Sequence, residues 1–99
     1  MALRLTVPAL RDLDELDLYL SDKSPQGLKN VLAAIKQQFL LIEAHPLIGR
    51  PALDERLRVV IEPKYGYQIP YVLLGRDLWI LRVYNARRAP LDLSTLVLP

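Results

Sequence analysis

Nine side chains in the second half of the sequence could act together: Arg56, Arg58, Lys64, Tyr65, Tyr67, Arg82, Tyr84, Arg87 and Arg88. A guanidinium keeps its charge at any ordinary pH and offers a planar fork that fits a carboxylate or a phosphate. Strand alternation puts Arg56 and Arg58 on one face, and likewise Arg82 and Tyr84. Arginines beside tyrosine rings can hold phosphates and stack on bases. They can equally grip an acidic, partly disordered protein segment. The plainer alternative is a solvated sheet face whose tyrosines pack their rings towards the core.

Other chemistries find little support. The sequence has no cysteine, which removes disulfides, thiolate nucleophiles and cysteine-bound metal sites together. Its single histidine, His45, stands beside Pro46 at the end of a helical stretch, where capping or solvation is expected. The acidic run "RDLDELD" lacks the glycine and terminal glutamate of a calcium loop, and its carboxylates suit the solvated face of a helix. Glycine-rich phosphate loops and nucleophile elbows are absent from the sequence, so no cofactor is expected.

The elements that must position the arginines can be read from periodicity. With 99 residues, 52% hydrophobic and 24% charged, the chain is expected to fold as one domain over residues 1–99. Residues 2–7 alternate as a half-buried strand. From Pro8 the period becomes helical: Leu10, Leu13, Leu16 and Leu20 face inwards, while Asp12, Glu15 and Asp17 turn away. Ser24 and Pro25 supply an N-cap and a first-turn proline for a second helix. Its stripe runs from Leu28 through Val31, Leu32, Ile35, Phe39 and Ile42, and the helix stops at His45-Pro46.

Strands follow. Residues 56–62 and 67–74 alternate, and a turn at Gly75-Arg76-Asp77 leads into 78–85. Pro70 cannot donate to a ladder, so it must face away from a partner or sit at a bulge. The tail from Leu91 to Leu98 reads as a strand or a short helix, either completing the core or lining a groove for a partner. The expected fold is α+β: an N-terminal strand, a two-helix hairpin, then a three- to four-stranded antiparallel sheet with both helices on one face. Arginine is concentrated late. Residues 50–99 hold eight Lys/Arg, seven of them arginine, against five Asp/Glu, whereas residues 1–49 hold five against six. The N-terminus has no signal-peptide pattern and no apolar run is long enough to span a membrane, so a soluble, cytoplasmic protein is expected.

Residues 45–90 resemble the RelE/ParE superfamily of toxins from bacterial toxin–antitoxin modules, in the ParE-like branch. The matching features are the Pro-x-x-Gly-Arg exit at Pro46 to Arg50 and an arginine entering the next strand, Arg56 or Arg58. A Tyr67-Ile69-Tyr71 strand follows, then Ile80-Leu81-x-Val83 and Arg88 just beyond. The resemblance implies a cognate antitoxin partner and one of two activities. RelE-like members cut messenger RNA on the ribosome with sheet lysines and arginines and a C-terminal tyrosine or histidine. ParE-like members lack that set and poison DNA gyrase.

Here Leu91 and Leu93 follow Arg88 where a tyrosine would be wanted. Gln68 and Asn85 replace a common arginine and histidine, and Lys64 is the only lysine after residue 36. These departures argue against RNA cleavage. The expectation is a non-enzymatic, gyrase-directed toxin that binds its target or antitoxin through Arg56, Arg58, Tyr67, Arg82, Arg87 and Arg88. The alternatives are a RelE-like nuclease and a non-toxic scaffold that binds only an antitoxin. A formal charge of +2 suits a protein target better than bare nucleic acid.

Overall fold

A computed structural model describes residues 2–88 and 91–99, with only the backbone of 54 and 55. The elements run β1 (Ala2–Leu5), α1 (Val7–Leu20), α2 (Pro25–Ala44), β2 (Arg50–Ala52), β3 (Asp54–Glu62), β4 (Tyr67–Leu74), β5 (Asp77–Ile80) and β6 (Tyr84–Asn85). A 3₁₀ turn at Leu93–Thr95 follows. One sheet orders the strands β1-β5-β4-β3-β2, with β6 beside the start of β4. Among the described strands, only β1 is parallel to its neighbour, β5.

Both helix starts are written locally. The Thr6 hydroxyl accepts the Ala9 N–H at 3.3 Å, and the Ser24 hydroxyl accepts the Gly27 N–H at 3.0 Å. A proline in each first turn fixes φ where no intrahelical donor is missed. The expected first strand therefore ends at Leu5, because Thr6 is already the cap. The helices lie on one sheet face, where Ala9, Val31, Ile35 and Ile42 meet Ile69, Tyr71, Leu78 and Ile80. Ala9 is fully buried on this face, which centres the α1 stripe on Ala9, Leu13, Leu16 and Leu20. Leu10 is consequently half exposed rather than core-facing. In α2, Leu32 is likewise partly exposed, at 38%.

Two further expectations are corrected. The segment that follows the Pro46 to Arg50 helix exit has no expected strand, yet Arg50–Ala52 forms the short edge strand β2, paired with β3 through a register shift after Pro51. Too short to alternate, and carrying a proline, it had no periodic signature. The expected continuous strand 78–85 is broken into β5 and β6 opposite Pro70. The Pro70 carbonyl accepts the Leu81 N–H at 2.9 Å, so its missing donor falls on this same side. The ladder cannot continue there, and residues 81–83 leave it.

The opposite sheet face is apolar too. Leu57, Val72 and Leu81 form a second small core with Leu74 and Trp79, and the tail lays Leu96 and Leu98 over it. Beyond its 3₁₀ turn the tail is irregular, so it completes a core without adding a strand. Half-burying each leucine contributes about 1 kcal/mol. A Leu96→Ser/Leu98→Ser variant should therefore melt roughly 8–16 °C below the parent. An unchanged melting temperature would show that the tail does not cover this face.

Candidate functional site

The break between β5 and β6 exposes backbone groups that the fold satisfies one by one. The Thr6 hydroxyl lies 3.1 and 2.9 Å from the Ile80 and Leu81 carbonyls. Asp12 reaches down from α1 and accepts the Val83 N–H at 3.0 Å. The same carboxylate takes a two-pronged grip from Arg82, Nε at 2.6 Å and Nη2 at 2.8 Å. Asp12 is only 10% exposed and Arg82 28%. The expectation that Asp12 turns to solvent is therefore wrong: the side chain bends under the helix because a freed N–H and a guanidinium await it. The pairing holds Arg82 above the ordinary arginine pKa, chiefly through the Asp12 hydrogen bond. Its guanidinium also lies 5.3 Å from the Tyr84 ring centre.

A second support sits across from it. Glu62 is 2% exposed, and its carboxylate accepts the Lys64 N–H at 2.6 Å and the Tyr65 N–H at 2.9 Å. This closes the β3–β4 turn and places Gly66 at φ +81°. The turn then receives the segment after β6: the Ala86 N–H donates to the Gly66 carbonyl at 3.2 Å, and the Arg87 side chain crosses Gly66. A Cβ there would stand 2.9 Å from Arg87 Nε. Asn85 shapes the following turn, its side-chain oxygen accepting the Arg87 N–H at 3.0 Å and its carbonyl the Arg88 N–H at 3.1 Å.

Between these two supports lies an open cleft of about 710 Å³. Tyr19, Tyr65, Tyr67 and Tyr84 line it with Arg82, Arg87 and Arg88, so four of the chain's five tyrosines gather here. Leu16, Leu20, Val31 and Val83 supply apolar wall, and Asp12, Glu15 and Asn85 the remaining polar groups. Burial raises the Tyr67 phenol above its ordinary value, against the opposing pull of the Asn85 side chain and the Arg88 charge. It is a neutral hydroxyl donor at physiological pH.

Of the six expected binding residues, Tyr67, Arg82, Arg87 and Arg88 meet in this cleft, and Arg56 and Arg58 do not line it. Arg56 is exposed on β3. Arg58 closes a latch at the end of α2, donating to the Leu47 and Gly49 carbonyls at 3.1 and 2.7 Å. In the same latch Tyr71 donates to the Pro46 carbonyl at 2.7 Å and accepts the Gly49 N–H at 3.0 Å. Arg58 and Arg82, expected as binding residues, are thus also bonded within the fold. Sequence reasoning missed Asp12, Glu15, Tyr19 and Asn85. The Asn85-Ala86-Arg87 turn signature could have flagged Asn85; nothing local marks the other three.

A helix hairpin across one face of a mostly antiparallel sheet, with an arginine–tyrosine cleft after the last strand, is a RelE/ParE-like architecture. Residues 3–90 match the family model described as the ParE toxin of the type II toxin–antitoxin system parDE, and the chain belongs to that family. It is 33% identical over 86 residues to Y4kP of Sinorhizobium fredii, a protein whose name describes it as a candidate toxin, covering 87% of this chain and 88% of that one. A chain from the solved chromosomal ParDE toxin–antitoxin system of P. aeruginosa superposes with a TM-score of 0.72 at 25% identity, covering 86% of this chain and 95% of that one. Membership implies a cognate antitoxin partner. No helix among the described residues is long and apolar enough to cross a membrane.

Proposed function

We propose that the chain is a cytoplasmic toxin that arrests growth by holding DNA gyrase in its DNA-cleavage complex, acts by binding alone, and is neutralised by its antitoxin. The reading rests on family membership together with one observation: Arg58 and Arg82 are already committed within the fold. Cutting RNA at a 2′-hydroxyl needs a base and free cations around a crowded phosphate. Arg82 is occupied by Asp12, and Arg58 by two main-chain carbonyls. Arg87 and Arg88 remain exposed at the rim, beside tyrosines. Arginine and tyrosine at the edge of a partly apolar cleft are the side chains that dominate protein interfaces.

The test is induction of the chain in cells with and without its antitoxin. Growth arrest with broken DNA and intact transcripts, relieved by the antitoxin, is the expected outcome. New codon-positioned 5′ ends in transcripts would overturn it in favour of a nuclease, and absence of arrest would indicate a scaffold that only binds antitoxin.

The rim arginines should separate binding from folding. An Arg87→Ala/Arg88→Ala variant is expected to unfold within about 0.5 kcal/mol of the parent per substitution. Losing charge-paired contacts in a desolvated interface costs about 2–5 kcal/mol, so toxicity should vanish. A variant that stays fully toxic would take the rim out of the interface.

A further inference from the structure

We infer that Tyr67, Asn85 and Arg88 form a subsite in the cleft for one carboxylate set beside a bulky apolar side chain of a protein partner. The inference rests on reading the chain as a protein-binding toxin and names the chemistry by which it grips. Three kinds of donor converge. Arg88 is exposed, lines the cleft, and lies close enough for its charge to act on the Tyr67 phenol. Tyr67 is buried to 8% exposure, keeps its proton, and stands opposite Asn85 across the β4–β6 pair. The Asn85 oxygen is occupied by the Arg87 N–H and its NH₂ group turns one hydrogen to the Tyr67 oxygen, which leaves the second amide hydrogen as the donor available to a ligand. A carboxylate seated there would receive one charged and two neutral hydrogen bonds, the pattern that fixes an anion's orientation.

The surroundings choose among anions. Asp12 and Glu15 stand on the α1 wall of the same cleft, so the three arginines leave one net positive charge. Glu62 adds a further buried carboxylate behind the β3–β4 turn. Binding a nucleic-acid backbone depends on neutralising several phosphates at once, which this wall opposes. A single carboxylate needs only one of these positive charges. The adjoining wall of Leu16, Leu20 and Val31 is apolar, so the partner should place a large aliphatic or aromatic side chain beside the carboxylate.

The experiment titrates the isotope-labelled full chain, followed by amide NMR, with three small probes. N-acetylphenylalanine carries an aromatic body and a carboxylate, N-acetylphenylalaninamide lacks the charge, and thymidine monophosphate offers an aromatic base with a phosphate. The first should bind with a Kd of about 1 mM, the range expected for a ligand of this size. Its shifts should centre on Tyr67, Asn85 and Arg88. The amide probe, and the Arg88→Ala variant with the first probe, should each bind about tenfold more weakly. Tyr67→Phe should weaken binding roughly threefold. Equal binding of acid and amide, a preference for the nucleotide, or shifts centred elsewhere would overturn the subsite. Because gyrase is absent from the measurement, a chain that binds the acid probe yet leaves gyrase untouched would keep the subsite and lose only the proposed target.

Discussion

Asp12→Ala should lower the stability of the chain by about 3 kcal/mol. Removing one partner of a buried ion pair costs about 3–5 kcal/mol because the other charge is left without compensation. The 28% exposure of Arg82 lets water offset part of that, so about 2 kcal/mol is the expected share. A further kcal/mol or so comes from the Val83 N–H, which Asp12 alone satisfies at the broken strand. Urea denaturation is the measurement, and with a slope of about 1–3 kcal/mol per molar the midpoint should fall by at least about 1 M. Asp12→Asn keeps an acceptor for Val83 and should cost less. If the two variants fall together by under about 0.5 kcal/mol, the carboxylate does not hold the break.

Gly49→Ala should cost about 2–3 kcal/mol, from overpacking that ordinarily runs at about 1–3 and from strain on the neighbouring hydrogen bonds. A Cβ at this position would stand 2.8 Å from Tyr71 Cε1, 2.9 Å from its hydroxyl oxygen and 3.0 Å from Arg58 Cβ. None can give way cheaply. The Tyr71 ring is fully buried, with its hydroxyl tied to Pro46 and Gly49, and Arg58 is drawn to the Leu47 and Gly49 carbonyls. Tyr71→Phe relieves no crowding but leaves the Gly49 N–H and the Pro46 carbonyl without this partner, so it should cost about 1–3 kcal/mol. A Gly49→Ala protein as stable as the parent would mean that the helix exit is not latched to the sheet.

The latch shows what the sequence made legible and what it hid. Pro46, Gly49, Arg58 and Tyr71 stand out as motif residues, yet spacing alone cannot tell a binding arginine from one that caps carbonyls: both sit on alternating strand positions. Contacts across 9 to 25 residues decide it. The helices were legible because caps and 3.6-residue stripes are local signals. The split of the last long strand was only half legible. Pro70 announced a fault in the ladder, but where its partner strand would leave depended on Thr6 and Asp12, about 70 residues away in sequence. The second apolar face escaped notice because Leu57, Val72 and Leu81 read as ordinary alternation until the tail returns to cover them. For the cleft, the late arginines and tyrosines were visible, whereas Glu15 and Tyr19 joined them only through the packing of α1.

The most direct test of a gyrase-directed binding toxin is incubation of the purified chain with gyrase, supercoiled plasmid and ATP, followed by protease. Linear plasmid should accumulate with the chain, disappear on adding antitoxin, and fail to appear with Arg87→Ala/Arg88→Ala. Plasmid that stays uncut at concentrations where the chain arrests growth, or cutting seen only with topoisomerase IV, would contradict it.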